Sequence, residues 1–183
     1  MVRYHDDEWA TPCHDDVELF ERLALESFQA GLSWSTILRK RDAFRVAFRG
    51  FDPTGVAAFD DADRARLMAD AGIVRNRAKI EATIGNAAAW LATAREFGSA
   101  DSYLGAMVPG PPVRLDAAAT AGSVPARTAG SDALSADLKR RGFRFVGSTI
   151  VYALMQSIGL VDDHLPGCFR YARHSVAPAH QRS

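Results

Sequence analysis

A glutamate at position 26 stands where a buried apolar side chain is expected. It lies in the run Leu23-Ala24-Leu25-Glu26-Ser27-Phe28. Leu19, Leu23, Glu26 and Ala30 follow one another at steps of three and four, so they share one face of a helix. A carboxylate on such a face loses water and needs a donor or a cation in compensation. Tyr4, Trp9, Phe28 and Trp34 supply aromatic surface nearby in sequence. An acid among aromatic rings suits a flat, nitrogen-rich, cationic ligand. The competing reading of the same residues rotates the face slightly and leaves Glu26 in water.

A second chemically loaded segment is Lys139-Arg140-Arg141-Gly142-Phe143-Arg144-Phe145-Val146-Gly147-Ser148. It reads as a short basic turn between two helices, with a glycine at each end. Unpaired N–H groups of such a turn, and of the helix that opens at Gly147 and Ser148, make a seat for a phosphate. Glycine admits the phosphate to the backbone. This is the physical content of a helix-hairpin-helix DNA-binding element, spanning about residues 131–158. Arg140, Arg141, Gly142, Arg144, Gly147 and Ser148 are its candidate DNA contacts, with Phe143, Phe145 and Val146 as inward anchors. The competing reading is an ordinary helix–turn–helix corner with a solvated basic end.

A third set comprises His164 and Cys168, four residues apart, which form half of a metal site. His5 joins them if the chain ends meet. Cys13 and His14 are available as a fourth ligand, although nothing in their spacing compels it. The competing reading is coincidence of spacing.

The 183 residues are 48% hydrophobic, enough for one domain with a real core. The formal net charge is zero, so DNA contact must come from a local basic patch. Two cysteines exclude a disulfide framework and suit a reducing cytoplasm. The N-terminus has no apolar signal segment, and the apolar stretch from Phe145 to Met155 is too short to span a bilayer. Helical periods run nearly throughout. Asp15 or Asp16 caps a helix to about Ala30, with Glu18 reaching back to the cap. Ser33 caps the next, and Pro53 suits the first turn of a short one. Asp60 caps a helix that Gly72 closes in a left-handed conformation. Arg75 to Phe97, Ala100 to Met107, a helix from a Ser131 cap to Arg141, and Ser148 to Ile158 complete an all-α reading without sheet strands.

Six blocks then carry a resemblance. They are Tyr4-His5-Asp6-Asp7-Glu8-Trp9; Leu25-Glu26 with Gln29-Ala30-Gly31-Leu32-Ser33-Trp34; Asp70-Ala71-Gly72-Ile73-Val74-Arg75-Asn76-Arg77-Ala78-Lys79-Ile80; Ser131-Asp132-Ala133-Leu134-Ser135; Lys139 through Gly147; and Gly159-Leu160-Val161-Asp162-Asp163-His164 with Gly167-Cys168. In order and spacing the chain resembles the DNA-3-methyladenine glycosylase I family over nearly its whole length. The resemblance implies an all-α, helix-hairpin-helix glycosylase fold, as one domain over residues 1–183 with termini meeting near a zinc site. It implies hydrolysis of the N-glycosidic bond of 3-methyladenine in alkylated double-stranded DNA by a cytoplasmic monomer that releases the free base. It implies a base pocket of Tyr4, Trp9, Glu26 and Trp34, with Glu26 the residue on which catalysis rests. Asp163 is expected to orient His164.

The resemblance also implies a structural zinc ion held by two N-terminal and two C-terminal ligands. His5, His164 and Cys168 match three of these. The fourth, a cysteine upstream of Tyr4, has no counterpart in the three residues that precede Tyr4. The expectation is a longer native N-terminus; the alternatives are Cys13 as substitute, weak zinc binding, or none. Ala10 and Ser27 stand where glycine is usual. The rival function is a catalytically impaired helix-hairpin-helix DNA-binding protein with an incomplete N-terminus. The presence together of Tyr4, Trp9, Glu26 and Trp34 argues against it.

Overall fold

The computed structural model describes residues 1–171. The expected single domain over residues 1–183 extends onto residues 172–183, outside the described residues. The order of elements is α1 (Val2–Asp7), α2 (Asp16–Gln29), α3 (Trp34–Ala47), α4 (Pro53–Ala57), α5 (Asp61–Ala69), α6 (Arg77–Phe97), α7 (Ala100–Met107), β1 (Val113–Arg114), α8 (Ala129–Arg140), α9 (Ser148–Ser157) and β2 (Val161–Asp162). The fold is all-α. The strands are a two-residue parallel pairing of Val113 with Val161 and Arg114 with Asp162. They are too short to show as a period of two in sequence. No helix among the described residues is long and apolar enough to cross a membrane.

Helix α2 is the axis of the molecule. Every residue from Leu19 to Phe28 is buried, because α3, α6, α7 and α9 all pack on it. A helix enclosed in this way is apolar on most of its circumference. Phe28, Phe44, Phe48, Phe51 and Phe59 form a chain of ring contacts beside it, with centroids 4.7 to 6.2 Å apart. Three charged residues of α2, Glu21, Arg22 and Glu26, are buried with the rest. Glu21 accepts from Arg41 at 2.6 Å and from Arg45 at 3.0 Å. Arg22 pairs with Glu18 and donates to the carbonyls of Ser157 and Glu8.

Local chemistry explains most helix ends. Asp15 accepts from the N–H groups of Val17 and Glu18 and caps α2. Asp16 instead reaches the start of α7, accepting from Ala100 and Asp101. Glu18 does not reach back to the cap; it pairs with Arg22. Ser33, Asp52, Asp60, Asn76 and Ser99 cap α3 to α7 in turn. Thr128, not Ser131, caps α8; Ser131 occupies the third helical position of a reciprocal capping box. Gly72 is not a left-handed cap. It makes room for close packing, since a Cβ there would meet the Asp70 carboxylate at 2.9 Å and Ala43 at 3.0 Å.

The N-terminal helix α1 has no counterpart among the helices expected from sequence, and it carries both Tyr4 and His5. It is held by the strap that follows it. Ala10 donates its N–H to the Gln156 carbonyl at 3.0 Å, and Cys13 donates to the Ile158 carbonyl at 3.2 Å. Gly159 allows this approach. Its φ is +79°, and a Cβ there would lie 2.6 Å from the Pro12 nitrogen. Backbone cannot yield to that contact as a flexible side chain can. Gly159→Ala is therefore expected to destabilise the fold by about 2 kcal/mol or more, as read by denaturant unfolding. A change below about 0.5 kcal/mol would show that the strap does not close on Gly159 as described.

Candidate active site

Tyr4 and Trp9, from α1 and the strap, meet Glu26 and Gln29 of α2, Trp34 at the start of α3, and Ala153 and Gln156 of α9. These residues line a cavity of about 200 Å³. All four pocket residues expected from the sequence are thus brought together. The Tyr4 and Trp34 rings lie 5.2 Å apart and tilted by 56°. The indole N–H of Trp34 is buried without a hydrogen-bond partner.

Glu26 is 6% exposed and belongs to the cavity wall. Glu21 and Arg22, its buried charged neighbours on α2, have strong partners. The carboxylate of Glu26 receives no hydrogen bond among the described residues, and burial pushes its pKa up to about 8; the Arg22 charge opposes that rise only in part. Burial also holds the Tyr4 hydroxyl above its ordinary value, with the Glu26 charge adding to the effect. The sign of the linkage follows. An empty cavity favours protonated Glu26, so its ionisation lowers folding stability as pH rises from the ordinary glutamate range through about 8. A cation in the cavity reverses that preference.

His5, His164 and Cys168 do converge. One ligand atom from each lies within 4.8 Å of the others. The Nδ1 atom of His164 lies 2.6 Å from Asp162, and its Nε2 is buried without a partner. Asp162 therefore holds the Nδ1 proton and leaves the Nε2 lone pair free. Asp163 does not orient His164, contrary to expectation. It accepts from Tyr152 and Gln156. Asp6 plays the matching part for His5 at 2.8 Å, and His5 Nε2 faces Cys168 Sγ at 3.6 Å. Burial lowers the His164 pKa, against the opposing effect of Asp162, which favours the neutral ligand form. Cys13 is not a fourth ligand. It is buried at the end of the strap, hydrogen-bonded to Glu18, and burial pushes its thiol up to about 11. Trp9 joins this cluster to the cavity: its ring meets His164 edge-on at 4.6 Å and stacks near His5 at 6.2 Å.

The basic hairpin is a tight turn from α8 into α9. Gly142 has φ +92° and Phe145 has φ +55°. Four side chains grip it. Asn86 bonds both the N–H and the carbonyl of Arg144, at 2.8 and 2.9 Å. Ser27 donates to the Phe145 carbonyl, Ser135 to the Val146 carbonyl, and Ser131 meets Ser148. Phe143 and Val146 are buried anchors, but Phe145 is 39% exposed and points away from the core. Arg140, Gly142 and Arg144 are exposed. Arg141 is a correction. Its guanidinium pairs with Glu96 and Asp137 and lies over the rings of Phe97 and Tyr103, which makes it a clamp between α6, α7 and α8. Gly147 has ordinary helix-entry angles, and a Cβ there would meet nothing within 4 Å. The protein alone does not require glycine at that position.

Gln29, Ala153 and Gln156 were not assigned to the pocket from sequence. Gln29 opens the Gln29-Ala30-Gly31-Leu32-Ser33-Trp34 block, and the helical period of α9 places Ala153 and Gln156 on one face.

Comparison with known proteins agrees with this geometry. Residues 1–171 match the family model described as methyladenine glycosylase. The chain is 47% identical over 170 residues to DNA-3-methyladenine glycosylase 1 of Escherichia coli (strain K12), covering 93% of this chain and 90% of that protein. It is 45% identical over 167 residues to DNA-3-methyladenine glycosylase of Haemophilus influenzae, covering 91% and 90%. The solved 3-methyladenine DNA glycosylase I from Staphylococcus aureus superposes with a TM-score of 0.88 at 39% identity, over 92% of this chain and 89% of that one. Sequence, fold and site geometry concur that this chain belongs to the methyladenine glycosylase family.

Proposed function

We propose that this chain removes 3-methyladenine from alkylated double-stranded DNA by hydrolysing its N-glycosidic bond. The observation that carries the reading is Glu26: a buried carboxylate, without a hydrogen-bond partner, in an aromatic cavity. The lesion base in DNA carries positive charge. Entering the cavity, it supplies the counter-charge that Glu26 lacks, and the rings of Tyr4, Trp9 and Trp34 favour a cation over neutral adenine. The glycosidic bond is inaccessible inside a duplex, so the nucleotide must be flipped out of the stack. In the hydrolysis the C–N bond breaks and its electron pair goes to the base, which leaves neutral. Water supplies the hydroxyl that stays on the sugar, and its other proton is released to the solvent. Methylation already makes the base a good leaving group, so no strong general acid is required. Ionised Glu26 holds the cationic base in position. The hairpin, with Arg140, Gly142, Arg144, Gly147 and Ser148, would seat a phosphate and position the duplex without reading its sequence. Arg141 is left out because Glu96 and Asp137 hold it at 21% exposure, whereas Arg140, though it also pairs with Asp137, stays 72% exposed. The reading includes action as a monomer in the cytoplasm, consistent with two free cysteines.

His5, His164 and Cys168 suit a zinc ion in donor type and proximity, with two imidazoles each backed by a carboxylate. When bound, zinc would tie α1 to the segment after β2 and so fix Trp9 against the cavity. The protein should copurify with zinc, and Cys168→Ser should lower the metal content and the thermal midpoint together. Equal midpoints with and without a chelator would count against a structural metal.

Release of free 3-methyladenine from methylated duplex DNA tests the function. Glu26→Gln should cut excision by about a hundredfold or more while leaving duplex affinity within about threefold. For the native chain kcat/KM should rise with pH toward a plateau above about 8, since free-enzyme Glu26 must ionise. Arg140→Glu with Arg144→Glu should weaken binding and reduce its salt dependence. Equal loss of excision and binding on Glu26→Gln would contradict the pocket assignment.

A further inference from the structure

The cavity contains two glutamines, and in both the amide nitrogen is already held by the protein. Gln156 Nε2 donates to Asp163 Oδ2 at 2.7 Å, and Gln29 Nε2 donates to the Leu32 carbonyl at 2.8 Å. A carboxylate or a carbonyl only accepts, so each amide must turn its NH2 end toward its holder. Each is left with an oxygen to offer. The holder of Gln156 is the firmer of the two. Asp163 is buried, and its Oδ2 also accepts from the buried Tyr152 hydroxyl at 2.7 Å. The main-chain carbonyl of Gln156 is fixed as well, by the N–H of Ala10 in the strap beside Trp9.

Building on the excision reading, we propose that Gln156 is a specificity-determining residue, with its amide oxygen accepting from the exocyclic amine of the flipped base. Asp163, backed by Tyr152, is the positioning residue that keeps that oxygen turned to the base. An adenine-type base carries an amine at C6, a donor; a guanine-type base carries an oxygen there, an acceptor. The acceptor presented by Gln156 meets the first with a hydrogen bond and the second with repulsion between two oxygens. Polar groups fixed in this way reject a mismatched partner more strongly than an apolar wall does. Glu26 supplies charge, which 3-methyladenine and 3-methylguanine share. Gln156 supplies the distinction that charge cannot make.

Duplex DNA treated with a radiolabelled methylating agent contains both lesions, and chromatography of the released bases gives the rate for each from one reaction. The native chain should favour 3-methyladenine. Gln156→Met keeps the length of the side chain and removes the amide. It should narrow the preference by about tenfold, the weight of one net hydrogen bond. Asp163→Asn should narrow it too, by raising 3-methylguanine release, because an asparagine can turn its NH2 toward the glutamine oxygen and let that amide invert. The ratio comes from one enzyme sample, so any loss of folded protein divides out. A merely structural role for Gln156 would lower both rates by one factor; an unchanged ratio in Gln156→Met overturns the proposal while excision itself stands. Failure of the native chain to release 3-methyladenine would overturn the excision reading, and this inference with it.

Discussion

A carboxylate enclosed in protein without a partner is costly, and the organisation of this molecule follows from where that cost is placed. Helix α2 is packed on all sides, so each charged side chain it carries must be answered. Glu21 is answered by Arg41 and Arg45, and Arg22 by Glu18 and two backbone carbonyls. Glu26 accepts no hydrogen bond among the described residues, and the Arg22 charge answers it only in part. The surrounding phenylalanine cluster keeps α2 from relaxing outward, because moving it would open cavities in a close-packed core. The helix therefore holds, at a fixed place beside aromatic rings, a carboxyl group whose ionisation the protein compensates only in part.

The rest of the site is assembled around that charge by backbone contacts. The strap from Ala10 to Cys13 follows the end of α9 and depends on the missing side chain at Gly159. It brings α1, and so Tyr4, His5 and Trp9, against α2 and α9. Trp9 touches both the base cavity and the His5–His164–Cys168 cluster, so the two share a wall. On the opposite flank Ser27, the residue after Glu26, bonds the hairpin at Phe145. The element proposed to hold the base and the element proposed to hold the backbone of DNA are one hydrogen bond apart.

The chemistry-bearing residues were legible in sequence because their signals are local. Glu26 interrupts an apolar period, caps precede helices at fixed offsets, and Gly142 marks a turn. What was missed depends on tertiary contact. Asp162 and Asp163 are adjacent acids with no difference in sequence; the fold turns one to His164 and the other to Tyr152 and Gln156. Arg141 and Arg140 are adjacent cations, yet only the approach of α6, with Glu96 and Phe97, makes Arg141 a clamp. Ser131 and Thr128 are both competent caps, and a reciprocal box decided between them. The apolar side chain of Phe145 suggests an anchor in sequence, whereas its left-handed backbone turns it outward.

The most direct measurement is the titration of Glu26 itself, by nuclear magnetic resonance of the carboxyl carbon in glutamate-labelled protein, assigned with Glu26→Gln. The account predicts a midpoint near 8 in the free protein, moving down when the 3,9-dimethyladeninium cation, which keeps the positive charge of the lesion base, is added. A midpoint in the ordinary glutamate range, unmoved by the cation, would mean that Glu26 is already satisfied and that the partly compensated carboxyl group at the centre of this account does not exist.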